Sequence, residues 1–107
     1  MSDTRDERQR VPLTSTQRKT LRGMAHELEP VVHVGRAGLT ERVLDAVRSA
    51  LEDHELIKIK LAAEREERQE MARQIQSACD AELVGLIGTI AILYRQHQEP
   101  EKRTIRV

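Results

Sequence analysis

The strongest constraint on the fold is the stretch Val31-Val32-His33-Val34-Gly35-Arg36-Ala37-Gly38-Leu39-Thr40, where an apolar run meets a glycine-bounded loop and then a helix cap. Pro30 ends any helix before it, because the residue preceding a proline avoids the α region. Val31 to Val34 then favours a strand. Thr40 predicts the N-cap of a helix, with Leu39 and Leu44 as the two halves of a hydrophobic staple that fixes how the chain enters it.

Glycine at both ends of the loop removes the side chains that would hold a ligand off the backbone, and it permits positive φ. At the helix start the first N–H groups have no intrahelical acceptor and the helix dipole presents positive charge. Arg36 adds a full charge and a planar donor fork. Taken alone, the G-x-x-G loop is either a structural tight turn or a clamp for a nucleic-acid backbone, as in the G-x-x-G loop of KH domains. Neither G-x-x-x-x-G-K-[ST] nor G-x-G-x-x-G occurs, so a nucleotide triphosphate or dinucleotide site has no support. His33, beside the loop, reads as a strand residue with a structural partner or as a phosphate donor.

On either side of the loop the periodicity alternates between helix and strand. A first helix starts at Thr14, with Gln17 completing a capping box, and places Leu21, Met24, Ala25 and Leu28 on one stripe. Arg18, Lys19 and Arg22 lie off that stripe with no acidic neighbour within a turn, forming a solvated face or a basic patch. After the loop, Val43, Leu44, Val47, Ala50 and Leu51 mark a second helix, with Arg42–Asp45 and Arg48–Glu52 as surface pairs. Arg42 lies in its first turn, within reach of a phosphate held by the loop.

Leu56 to Leu61 sets Ile57, Ile59 and Leu61 against Lys58 and Lys60, the pattern of a strand with one wet face. The two lysines are either solubilising residues or phosphate contacts. Glu64 to Asp80 is a third helix with a stripe of Met71, Ala72, Ile75, Ala78 and Cys79, and with Glu64–Arg68 and Glu70–Arg73 as pairs. Glu82 to Ile87 and Ile90 to Tyr94 form a hairpin across Gly88-Thr89, glycine first as a type II′ turn prefers. The closing strand is apolar on both faces, which suggests a central or well-covered position.

The fold class that follows is α/β: a two-layer α-β-α-β-α-β-β arrangement with a four-stranded mixed sheet, covered mainly on one face. Residues 1–12 form a disordered N-terminal tail, 13–96 the domain and 97–107 a charged C-terminal tail.

Composition narrows the chemistry. One Tyr, no Phe and no Trp argue against recognition of the kind that stacks bases on aromatic platforms, and Tyr94 reads as a half-buried edge residue before it reads as such a platform. With 18 Lys plus Arg against 18 Asp plus Glu, any nucleic-acid surface is a local patch. Cys79 has no intramolecular disulfide partner, and no apolar run approaches the ~20 residues of a membrane span. A reduced, cytoplasmic protein without a membrane partner is expected. His26, His33, His54 and His97 have no ligand spacing, and the paired acids sit in solvated runs that raise no pKa. No metal, cofactor, small-molecule substrate or catalytic activity is expected.

Leu13-Thr14 with Gln17-Arg18, then Leu21, Ala25-His26, Pro30-Val31-Val32-x-Val34-Gly35-x-x-Gly38-Leu39-Thr40, Glu55-Leu56-Ile57-Lys58 and Leu93-Tyr94-Arg95 resemble the CRM domain family, most closely its single-domain bacterial, YhbY-like members. The resemblance spans Leu13 to Arg95. It implies a fold similar to the C-terminal domain of bacterial translation initiation factor three, and RNA binding during assembly of the large ribosomal subunit. It places the RNA site on Gly35, Arg36, Ala37 and Gly38, with Thr40 as the cap and Arg18, Lys19, Arg22 and Arg42 as the surrounding basic residues. Relatives are commonly basic, whereas this chain is neutral. A monomer is expected; the charge balance keeps a second reading open, an adaptor joining ribosomal or other complexes mainly through protein contacts.

Overall fold

The computed structural model describes residues 12–107, so the N-terminal tail expected over residues 1–12 lies outside the described residues except for exposed Pro12. The elements are α1 (Ser15–Ala25), β1 (Pro30–Val34), α2 (Glu41–His54), β2 (Leu56–Leu61), α3 (Arg65–Cys79), β3 (Glu82–Ile87), β4 (Ile90–Tyr94) and a single 3₁₀ turn, Pro100–Lys102. The four strands form one mixed sheet in the order β1-β2-β4-β3. β1 runs parallel to β2, and both contacts of β4 are antiparallel. The central position expected for β4 follows from its flanking by β2 and β3.

The hairpin turns as its residues dictate. Gly88 has φ +58, while Thr89 is not among the positive-φ residues, which fits a type II′ turn and not a type I′ turn. Thr14 and Gln17 close the expected capping box at α1, with bonds of 3.0 and 2.9 Å.

The layer count departs from expectation. One face of the sheet, with Val32, Val34, Ile57, Ile59, Leu61, Ala91 and Leu93, packs against Val47 and Leu51 of α2 and Ala72, Ile75 and Cys79 of α3. The other face is also covered: Leu56, Val84, Ile92 and Tyr94 pack against Leu21 and Ala25 of α1, joined by Leu13 and Ile105. The arrangement is three-layered, not two-layered. Leu56 shares a face with Lys58 and Lys60, so the supposedly wet side of β2 is buried at its beginning.

Other local expectations are corrected by where the chain turns. α1 ends at Ala25 and not at Pro30, which instead opens β1. Met24 and Leu28 consequently stay 42% and 37% exposed. On α3, Ala78 faces solvent. Arg48 pairs with Asp45 at 2.8 Å, whereas Glu52 turns to Arg95 and His97. Arg68 donates to the Ala63 carbonyl at 2.7 Å, and Glu70–Arg73 forms as expected.

Residues 97–107, read as a charged tail, are tied to the fold by Glu55. This residue caps α2 with φ +64 and is 2% exposed. Its carboxylate accepts from the N–H groups of His97 (2.7 Å), Thr104 (2.8 Å) and Ile105 (3.2 Å) and from the Thr104 hydroxyl (3.3 Å). Burial acts to raise its pKa, but these four donors outweigh it and hold the carboxyl below its ordinary value.

Glu55→Ala leaves three partly buried N–H groups without their acceptor and is expected to cost about 2 kcal/mol in urea unfolding, with faster amide exchange at His97, Thr104 and Ile105. Because the folded pKa is depressed, the carboxylate's contribution is present above the unfolded value of ~4.3 and fades as pH falls through the lower folded value. Stability measured from pH 7 to 3 should therefore fall more steeply in the wild type than in Glu55→Gln.

Candidate nucleic-acid interface

The G-x-x-G loop is a closed turn. The Gly38 N–H donates to the Gly35 carbonyl at 3.0 Å, and the Thr40 N–H to the Gly38 carbonyl at 3.1 Å. Thr40 is extended, and its hydroxyl accepts from the Val43 N–H at 3.2 Å, forming the expected cap. Leu39 and Leu44 are both partly buried against the core that α2 and α3 cover. The Val34 carbonyl accepts from the Ala62 N–H at 3.1 Å, fixing the loop's other end to the exit of β2.

The two glycines differ in why they are there. Gly38 has φ +76, a conformation that strains any L side chain. Gly35 has no positive φ, and a Cβ built on it meets nothing within 4 Å. The fold therefore requires glycine at 38 and not at 35. Between them Arg36 and Ala37 are exposed, and their N–H groups have no backbone acceptor among the described residues. Neither Arg36 nor Arg42, exposed in the first turn of α2, has an ion pair or side-chain hydrogen bond among the described residues.

The basic residues of α1 lie elsewhere. Arg18 donates to the Leu83 carbonyl at 2.7 Å and pairs with Glu82 at 3.5 Å. Arg22 donates to the Val84 carbonyl at 3.4 Å. The register shift between Leu83 and Gly85 accompanies these contacts, and Gly85 gives the Arg22 stem room: a Cβ there would come within 3.2 Å of it. Glu82 pairs in register with Tyr94, and Tyr94 with Leu56. Arg18 thus sits at the corner of the sheet diagonal to the loop, roughly 20 Å away from strand spacing and rise. The structure brings Gly35, Arg36, Ala37, Gly38, Thr40 and Arg42 together. It does not bring Arg18, Lys19 and Arg22 to them, although Lys19 is exposed.

Of the β2 lysines, Lys58 donates to the Leu28 carbonyl at 3.0 Å and secures the turn after α1. Lys60 is exposed. His33 is exposed too, without the structural partner expected for it among the described residues. Burial pushes the Cys79 thiol up, partly offset by Arg48 and Arg95, so the sulfur stays protonated and serves packing. Among the described residues no cluster of metal-ligating side chains occurs, and no helix is long and apolar enough to cross a membrane.

Residues 13–95 match the CRS1 / YhbY (CRM) domain. The chain belongs to the CRS1/YhbY family. A Pseudomonas aeruginosa relative named probable RNA-binding protein is 43% identical over 93 residues, covering 86% of this chain and 89% of its own. A Haemophilus influenzae relative named RNA-binding protein is 46% identical over 88 residues, covering 81% and 89%. The solution structure of a hypothetical Staphylococcus aureus protein superposes with a TM-score of 0.75 at 29% identity, covering 89% of this chain and all of that one. The CRS1/YhbY match ends at residue 95, before the segment that Glu55 ties down.

The two glycines should separate in a stability assay. Gly38→Ala is expected to cost about 1 kcal/mol in urea unfolding, and Gly35→Ala less than about 0.5 kcal/mol.

Proposed function

We propose that this protein binds ribosomal RNA by its backbone through Gly35 to Gly38 and acts in assembly of the large ribosomal subunit. The observation that carries the reading is the pairing of a fixed, exposed loop with a glycine the fold does not need. An open Gly35 lets a ribose-phosphate chain approach the backbone closely. The unpaired N–H groups of Arg36 and Ala37 and the start of α2 then face the phosphates. Arg36 supplies the principal charge, Arg42 a second contact, and Thr40 holds the geometry by capping α2. The names of the curated relatives support RNA as the partner.

Lys19 adds an outlying charge on α1, while Arg18 and Arg22 contribute with guanidinium groups already engaged on β3. The role is binding, without catalysis, by a cytoplasmic monomer. The other reading, an adaptor acting through protein contacts, draws on an open apolar groove of about 380 Å³ between Met24, Leu28, Val31, Leu56 and Ile105.

Binding of a large-subunit ribosomal RNA fragment across a salt series tests the proposal. Affinity of the wild type is expected to fall with a log-log slope of roughly 3 to 5. A folded Arg36→Asp, Ala37→Asp variant should bind much more weakly and with a shallower slope. Unchanged binding would reduce the loop to a tight turn, and association that survives ribonuclease would favour the adaptor. Gly35→Ala, near neutral for stability, should still weaken RNA binding.

A further inference from the structure

α1 crosses only part of its side of the sheet. Leu21 and Ala25 cover the end marked by Leu56, Val84, Ile92 and Tyr94. Toward the loop the same side carries a row of register partners that crosses all four strands: His33 beside Lys60, Lys60 beside Ile90, and Ile90 beside Ile87. Register partners share a face, and the packing confirms it, since Val32, Ile59 and Ala91 all point to the opposite core. His33 and Lys60 are exposed, Ile90 is half-buried and Ile87 is 62% exposed. At the ~4.8 Å spacing of strands the row is about 14 Å long.

Its two ends and its charge say what it suits. His33 lies two residues before Gly35, so the row continues directly from the loop. It contains two basic side chains and no acid. Glu82, the acid on this side of β3, stands at the far end beside Arg18. Apolar side chains have nothing to contact in a phosphate backbone, but they match the faces of bases, which only unpaired RNA exposes. An imidazole is itself a surface on which a base stacks.

We propose that RNA gripped by the loop continues as an unpaired strand along His33, Lys60, Ile90 and Ile87. His33 stacks on a base, Lys60 meets the next phosphate, and Ile90 and Ile87 support the following base. This rests on the loop being an RNA clamp and adds the class of RNA: a paired stem next to an unpaired segment. It also uses the His33 imidazole and aliphatic side chains where Phe and Trp are absent.

The experiment compares an RNA hairpin with the same hairpin bearing a short unpaired uridine extension, using wild type, Lys60→Ala with Ile87→Ser, and Arg36→Asp with Ala37→Asp. The altered row side chains are exposed, and folding of each variant is checked by circular dichroism. Wild type should favour the extended probe by about tenfold, the lower range for one stacked base. The row variant should lose that preference and keep its affinity for the plain hairpin, while the loop variant weakens on both. No preference in wild type, or a preference that persists in the row variant, overturns the proposal even when the loop variant fails. If the row variant loses its preference and the loop variant binds both probes normally, the row stands and the clamp fails. If wild type binds neither probe, both fall.

Discussion

The structure depends on the need of its central strand to be buried from both sides. β4 sends Ala91 and Leu93 toward α2 and α3, and Ile92 and Tyr94 toward α1. No arrangement covering one face can shelter such a strand, because each exposed aliphatic side chain forfeits about 1.5–3 kcal/mol. α1 is therefore a required layer. At 11 residues it is only ~16 Å long, too short to roof the sheet. The open strip beside the loop follows from that shortness.

Charge is arranged by position rather than by total. Asp45 and Glu52 of α2 are engaged by Arg48, Arg95 and His97, and Arg18 and Arg22 bind carbonyls of β3. Among the described residues, Arg36, Arg42 and Lys60 have no ion pair or side-chain hydrogen bond. A neutral molecule can thus present a positive corner, since fields from paired charges cancel over a distance comparable to the ~8 Å Debye length.

Most of the local design was legible in the sequence because its signals are short-range. Thr14 with Gln17, Thr40 with Val43, and Gly88 before Thr89 each act within a few residues, and each stands in the structure as its residues suggest. What escaped depends on long-range partners. Nothing near Arg18 or Arg22 in sequence reveals carbonyls more than sixty residues away. Nothing around Glu55 in sequence reveals that its carboxylate accepts from N–H groups more than forty residues away. Leu56 hid the second apolar face, because the alternation after it suggested a wet surface. In the candidate site, the loop and its cap could be read directly. The separation of the α1 cluster from that loop could not, since it follows from strand order.

The contacts made by Leu13 and Ile105 have a consequence for what counts as the cooperative unit. Both pack into the cluster around Leu21 and Tyr94, so this layer is closed by the two extremities of the described chain. The CRS1 / YhbY (CRM) domain match stops at residue 95, ten positions short of Ile105. A polypeptide cut at the edge of the likeness would keep the loop and every strand but lose a wall of the α1-side core. The folding unit is longer than the matched domain, and the segment that carries its last wall is tied down by the buried Glu55 carboxylate.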